Sequence, residues 1–136
     1  FFFRKDYQQV AVIRSMVEDL NLPIQIITCE TIREPDGLAM SSRNRYLSDS
    51  ERSRALSLSR ALNAAISMVE SGCRIATDIE LEMMRILNDA PVDSVDYARI
   101  VHGDTLEPLS KIASPAVAII AARLGTTRLI DNCILR

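Results

Sequence analysis

Three short stretches of the sequence hold residue types that could act on a charged small molecule. Lys5-Asp6 stands where an apolar run passes into a helical pattern, and in open α/β sheets ligands collect at the carboxyl ends of strands. A lysine there can reach a phosphate while the aspartate caps the helix; a surface lysine beside an N-cap aspartate accounts for the same dipeptide. Gln9, one turn further on, carries an amide that can bond a hydroxyl or a carboxylate, or simply face solvent. Met40-Ser41-Ser42-Arg43-Asn44 places two hydroxyls and a guanidinium in consecutive positions. That set suits the grip of a polyphosphate through charge-assisted hydrogen bonds, and equally a structural turn ahead of a helix cap.

Other reactive residue types point to structure. His102 is the single histidine, and no cysteine or carboxylate spacing around it makes a metal site or a triad. Met83-Met84 recur at helical spacing with apolar neighbours, the pattern of a packed core. Cys29, Cys73 and Cys133 are an odd number with no close pair, so they build neither a disulfide framework nor a CxxC knuckle, and a reducing cytosol is expected.

The composition bounds the rest. With 136 residues, 48% hydrophobic, 25% charged and net charge -2, the chain reads as soluble and globular and not as disordered or collagenous. All its cations except Lys5 and Lys111 are arginines, but carboxylates balance them without a dense basic run, so nucleic acid is not an expected partner. The longest apolar run, Pro115 to Ala122, is far short of the roughly 20 residues of a membrane span. No signal-peptide pattern opens the chain.

The elements that must hold these residues begin with Phe1-Phe2-Phe3, an apolar run without cap or turn, which is expected to be a strand belonging to something larger. Val10, Ile13, Val17 and Leu20 then mark one face of a helix from about Asp6 to Leu20, stopped by Asn21-Leu22-Pro23. Ile24 to Thr28 is short and β-branched, so the opening reads strand, helix, strand, as in parallel sheets. Glu30 to Leu47 breaks into Pro35, Asp36-Gly37 and a polar cluster, a long ordered loop and an expected domain junction. Ser48 and Glu51 form a capping-box pattern for a helix that should stop at Gly72, with Ala55, Leu58, Leu62, Ile66 and Val69 inward and arginines and serines outward. Thr77 and Glu80 repeat that spacing for a second helix before Pro91. Three strands follow, near Val95 to Val101, Ala116 to Arg123 and Thr127 to Ile134, the last two hinged at Leu124-Gly125-Thr126. The expected architecture is the tail of an α/β domain and a small α+β domain of helices on a three-stranded antiparallel sheet.

Taken together, Lys5-Asp6-Tyr7-Gln8-Gln9, Thr31-Ile32-Arg33-Glu34, Asp36-Gly37-Leu38-Ala39-Met40-Ser41-Ser42-Arg43-Asn44, Tyr46-Leu47-Ser48 and Arg128-Leu129-Ile130-Asp131-Asn132 resemble, in order, the C-terminal half of the pantoate–β-alanine ligase family. The long central string is the most specific, being similar to the phosphate-gripping loop of class I aminoacyl-tRNA synthetase relatives. The resemblance implies ligation of pantoate to β-alanine using ATP, through an enzyme-bound pantoyl adenylate, with release of pyrophosphate and AMP. It implies Lys5, Ser41, Ser42 and Arg43 as catalytic and phosphate-binding, with Phe3, Arg4, Asp6, Ile32 and Met40 also at the nucleotide. Gln9 would bind pantoate, and Mg²⁺ would accompany ATP. Residues 1–32 would then be the tail of a Rossmann-like nucleotide-binding domain and 33–136 the C-terminal α+β domain.

Two departures from the family pattern stand out. Phe2-Phe3-Arg4 replaces Phe-Gly-Glu, so a phenyl ring takes the place of a glycine where the backbone nears the nucleotide. The family's His-x-Gly-His ATP-binding segment belongs to its N-terminal half and is absent from these residues. The first expectation is therefore a cytoplasmic ligase in the coenzyme A precursor pathway, of which this portion is inactive alone. The full-length enzyme would be a homodimer joined through the N-terminal domain. The alternatives are a stand-alone α+β binding or interaction module that has lost the catalytic half, and one segment of a longer fusion.

Overall fold

The computed structural model describes residues 2–113 and 115–136, with the backbone alone at Phe3. Phe1, part of the expected opening strand, and the Phe3 ring, expected near the nucleotide, lie outside what is described.

The opening is a strand–helix–strand unit. Strand β1 (Phe2–Phe3) pairs in parallel with β2 (Thr28–Cys29), Phe2 opposite Thr28, and helix α1 (Tyr7–Asp19) connects them. Asp6 caps α1, its carboxylate accepting from the Gln9 N–H at 3.1 Å. At the far end Asn21 takes a positive φ of 46°. Its N–H bonds Glu18 O while Leu22 N–H bonds Val17 O, the paired closure that satisfies a helix's last carbonyls. The strand expected over Ile24 to Thr28 is reduced to Thr28–Cys29, which lie opposite Phe2 and Phe3, with Ile27 O also accepting from Phe2 N–H.

The rest of the chain builds two helices on a sheet. Helix α2 (Asp49–Glu70) opens at a complete capping box between Ser48 and Glu51, and α3 (Ala76–Asp89) follows. Strands β3 (Ser94–His102), β4 (Ala116–Leu124) and β5 (Thr127–Leu135) form an antiparallel sheet in the order β3-β4-β5. Leu124 and Thr127 close the β4–β5 hairpin, and Gly125, at φ +57°, supplies the positive φ that its two-residue turn requires.

Small residues decide how the layers meet. Ala55, Ala61 and Ala65 of α2 and Ala116, Ala118 and Ala122 of β4 are fully buried. Backbones therefore approach closely, and Leu58, Leu62, Ile79, Met83, Leu87, Ile100, Ile120 and Leu124 fill the remaining space. Each large side chain buried this way contributes about 1.5–3 kcal/mol. A second, smaller cluster of Val101, Val117 and Ile119 with Tyr7 and Tyr97 lines the other face of the sheet. Among the described residues no helix is long and apolar enough to cross a membrane.

Two sequence expectations need correction. Thr77 and Glu80 do not form a capping box: α3 begins at Ala76 behind Ile75, without a side-chain cap. Ala76 N–H is satisfied by Ser110 O instead, so tertiary pairing sets the start and leaves Thr77 inside the first turn. Glu80 is diverted to β3, where its carboxylate accepts from Ile100 N–H at 2.8 Å. The serines of α2 do not all face solvent, since Ser57 and Ser59 are buried. Ser59 Oγ donates to Leu56 O within the helix, which makes its burial tolerable.

Candidate functional site

The loop ahead of α2 is an ordered hairpin. Arg33 bridges Ala39, Met40 N–H bonds Ile32 O at 2.9 Å, and the turn Glu34-Pro35-Asp36-Gly37 closes with Gly37 N–H on Glu34 O at 2.8 Å. Proline fits the second position of such a turn. Gly37, at φ +94°, takes the left-handed conformation that lets the chain return to Leu38. Asp36 Oδ1 accepts from Leu38 N–H, tightening the tip. A 3-10 helix (Ser42–Tyr46) leads from the hairpin towards α2, capped by Ser41, whose Oγ accepts from Arg43 N–H at 3.2 Å.

A network of partly exposed charges and one buried amide fixes this hairpin from below. Arg52 of α2 donates to Glu34 at 2.5 Å and to Asp36 at 2.7 Å. Asn44 is buried and donates to Glu34 Oε1 at 2.6 Å and to Ala39 O at 3.1 Å. Bonds from Asn44 and then Arg52 hold the Glu34 carboxyl below its ordinary range. Asp36 is lowered as well, first by the Leu38 N–H and also by Arg52.

The expected phosphate-facing residues meet above that base. Lys5 Nζ donates to Met40 O at 3.3 Å, joining the end of β1 to the head of the Ser41–Arg43 segment. Burial lowers the Lys5 ammonium from its ordinary value. Arg43 and Arg33 push the same way, while Asp131 and Asp6 oppose them. Ser42 and Arg43 are exposed, and among the described residues the Arg43 guanidinium has no hydrogen-bond or ion-pair partner. Ile32 and Met40 lie side by side across the hairpin, 51% and 55% exposed, an apolar surface beside the cations. Such an arrangement can receive a flat ring next to an anionic group.

Three of the sequence-named residues are engaged elsewhere or turned to solvent. The Asp6 carboxylate is engaged in capping α1. Gln9 is exposed in the first turn of that helix. Arg4 pairs with Glu30 at 3.2 Å and lines a separate cleft of about 430 Å³ with Glu30, Thr31, Arg33, Asn132 and Cys133, a cleft that includes neither Lys5 nor Ser41–Arg43. His102 organises the turn after β3, where its Nδ1 accepts from the N–H groups of Asp104 and Thr105. Burial pushes the Cys133 thiol up to about 12, far from reactivity. Among the described residues no group of three or more His, Cys, Asp or Glu is gathered as for a metal ion.

Residue type and spacing assign no role to Arg33, Glu34, Asn44, Arg52, Asp131 or Asn132, yet these frame the cluster. Arg33 makes a two-point ion pair with Asp131, at 2.7 and 3.0 Å, and also donates to Gly37 O at 3.1 Å. Asn132 Nδ2 donates to the carbonyls of both Arg4 and Lys5, at 2.7 and 2.9 Å. For Arg33, Asp131 and Asn132 the sequence signal is membership of the strings Thr31–Glu34 and Arg128–Asn132.

A helical layer on a three-stranded sheet, with a cationic hairpin at its edge, has close counterparts among known proteins. The family model described as pantoate-beta-alanine ligase matches residues 1–134. The chain belongs to the pantoate–β-alanine ligase family. It is 54% identical over 132 residues to the pantothenate synthetase of Rhodopirellula baltica, covering 97% of this chain and 46% of that protein. It is 48% identical over its whole length to a bifunctional pantoate ligase/cytidylate kinase of Synechococcus elongatus, of which it covers 26%. Among solved structures, pantothenate synthetase from Thermus thermophilus superposes with a TM-score of 0.92 at 41% identity, over 97% of this chain and 48% of that one. A pantoate-beta-alanine ligase from Francisella tularensis, described as complexed with beta-gamma ATP and beta-alanine, gives 0.65 at 26% identity, over 98% of this chain and 42% of that one. The chain thus spans about half the length or less of the relatives it matches. The helices and three-stranded antiparallel sheet match the C-terminal part of pantothenate synthetase.

Proposed function

We propose that this chain supplies the phosphate-gripping half of an ATP-dependent pantoate–β-alanine ligase. The observation that carries the reading is the Lys5–Met40 contact, which sets a half-buried ammonium beside the Ser41-Ser42 hydroxyls and the exposed Arg43, which has no partner among the described residues. Two cations converge there with one buried carboxylate, Asp131, against them, and that carboxylate is already paired. A polyphosphate completes such a set. Family membership supports ATP as that ligand, as does the Francisella neighbour complexed with beta-gamma ATP.

In the reaction, a pantoate carboxylate oxygen bonds the α-phosphorus of ATP while the bond to pyrophosphate breaks, giving pantoyl adenylate. The β-alanine amine then bonds the acyl carbon, AMP leaves, and the amine's proton goes to solvent. Both reactants of the first step are anionic, so rate depends on holding them in line and offsetting the charge that develops. Lys5 and Arg43 act on that charge, Ser41 and Ser42 orient the phosphates, and Ile32 and Met40 receive the nucleotide's apolar face. Phe3, Arg4 and Asp6 are proposed to contact ATP through the β1–α1 junction, and Gln9 to bind pantoate. Of the carboxylates that face Lys5, Asp131 is taken up by Arg33 and Asp6 by the cap of α1, a poor set for a resident metal, so Mg²⁺ enters as part of the ATP substrate.

On this reading residues 1–32 end a Rossmann-like nucleotide-binding layer, 33–136 form the C-terminal domain, and a cytosolic homodimer forms through the N-terminal half. The experiment compares the intact protein with residues 1–136 alone, each given ATP, Mg²⁺, pantoate and β-alanine. The intact protein is expected to form pantothenate and the isolated chain none above background, because the α-phosphate must be held from both sides. Absence of product from the intact, folded protein would overturn the ligase reading in favour of a binding module.

A further inference from the structure

Lys5 is held by a strand that closes almost the entire sequence behind it. Asp131 and Asn132 are adjacent on β5 and both are buried, at 4% and 6% exposure. The Asn132 amide bridges two consecutive carbonyls, those of Arg4 and Lys5. The Asp131 carboxylate takes both ends of the Arg33 guanidinium, and Arg33 reaches on to Gly37 O at the tip of the hairpin. The Asn132 N–H donates back to Asp131 Oδ1 at 2.8 Å, which fixes the carboxylate's rotamer. One dipeptide therefore grips the lysine end and the loop end of the cationic cluster at once.

We propose that Asp131 and Asn132 are positioning residues, a strut on β5 that aligns Lys5 with the Met40–Arg43 segment for phosphate chemistry. The inference rests on the ligase reading for its catalytic consequence, but not for the coupling itself. A clamp that merely tied the β1–α1 unit to the sheet would need the Asn132 bonds alone. It would not need a buried carboxylate, which is costly to desolvate and is placed where it acts on Lys5. The groups facing Lys5 are Asp131 from β5, Arg33 and Arg43 from the hairpin and the 3-10 helix, and Asp6 from its own stretch. Of these, Asp131 is the carboxylate fixed by two-point pairing.

The test reads Lys5 directly. Lysine-selective isotope labelling of the intact protein, with the Lys5 signal assigned by its loss in Lys5→Arg, gives an NMR titration of Lys5 itself. Asp131→Asn removes an opposing charge and frees Arg33, so the Lys5 midpoint is expected to move to lower pH. The alkaline limb of the kcat profile for pantothenate formation should move with it. Asn132→Ala is expected to lower kcat about tenfold or more, since small misplacement of a reacting group is costly. A Lys5 midpoint unmoved in folded Asp131→Asn, or an Asn132→Ala kcat within about twofold of wild type, would overturn the strut. Wild-type protein that forms no pantothenate would count against the ligase reading, and the titration would still decide the coupling.

Discussion

The Lys5 ammonium and the Met40 carbonyl are joined at 3.3 Å across 35 positions of sequence. That carbonyl immediately precedes Ser41-Ser42-Arg43, so the lysine and the loop are held as one unit before any anion arrives. Donors fixed in advance act on developing charge without the cost of reorganising. On the proposed reading a phosphate at Lys5 would lie beside the loop and not apart from it.

The Glu34–Asp36–Arg52 network gives the hairpin a defined acid limit. Both carboxyls are held below their ordinary values in the folded protein, by Asn44 and Arg52 at Glu34 and by Leu38 N–H and Arg52 at Asp36. A depressed folded value stabilises above the unfolded pKa of about 4, and that stability is lost as pH falls through the folded value. Thermal unfolding followed from pH 7 down to pH 2 should therefore show the wild-type midpoint falling mainly below pH 4. Arg52→Met should flatten that fall by removing a shared cause of both shifts, and an unchanged profile would show that Arg52 does not set it.

Asn44 tests whether the base of the hairpin carries stability. It is buried and bonds both Glu34 and Ala39 O, so Asn44→Ala leaves a buried carbonyl unpaired and should cost about 1–3 kcal/mol. Urea unfolding should show a lower midpoint with unchanged slope. Asn44→Asp should cost more, because it sets a second carboxylate against Glu34, and a smaller loss than for alanine would contradict the assigned geometry.

Much of this molecule was legible in its sequence. Helix α1, the Ser48–Glu51 capping box and the β4–β5 hairpin fell where periodicity and turn chemistry put them, since each is governed by residues close in the chain. Thr77–Glu80 misled because the true start of α3 is fixed by Ser110, far along the sequence. The same limit hid the frame of the candidate site. Lys5, Ser41, Ser42 and Arg43 were visible as residue types suited to phosphate, but nothing local announces that Asn132 holds the carbonyl of Lys5, or that Arg33 finds its partner 98 positions away in Asp131. Long-range polar pairs leave no periodic trace.

Gly125 links the β4–β5 turn to the start of α2. A Cβ at this position would overlap Glu51 Oε1, one oxygen of the carboxylate that completes the capping box through Ser48 N–H. Gly125→Ala therefore adds the strain of a positive φ to loss of part of a helix cap, together about 1–2 kcal/mol. Combined with Glu51→Ala, the two losses should be less than additive in urea unfolding, since the clash disappears with the carboxylate. Strict additivity would show the turn and the cap to be independent.

Arg43, exposed beside Lys5 and without a partner among the described residues, is the residue on which the proposed grip of the ATP polyphosphate depends most. Pantoate-dependent exchange of pyrophosphate into ATP isolates adenylate formation from the later amine step, and comparing wild-type intact protein with Arg43→Ala reads that grip most directly. The substitution removes a charge-assisted donor at the phosphates and should cost about 2–4 kcal/mol, a fall in exchange of about thirty- to a thousandfold. Its thermal unfolding should match wild type, since Arg43 has no partner among the described residues to lose. A folded Arg43→Ala protein exchanging pyrophosphate at the wild-type rate would contradict the account.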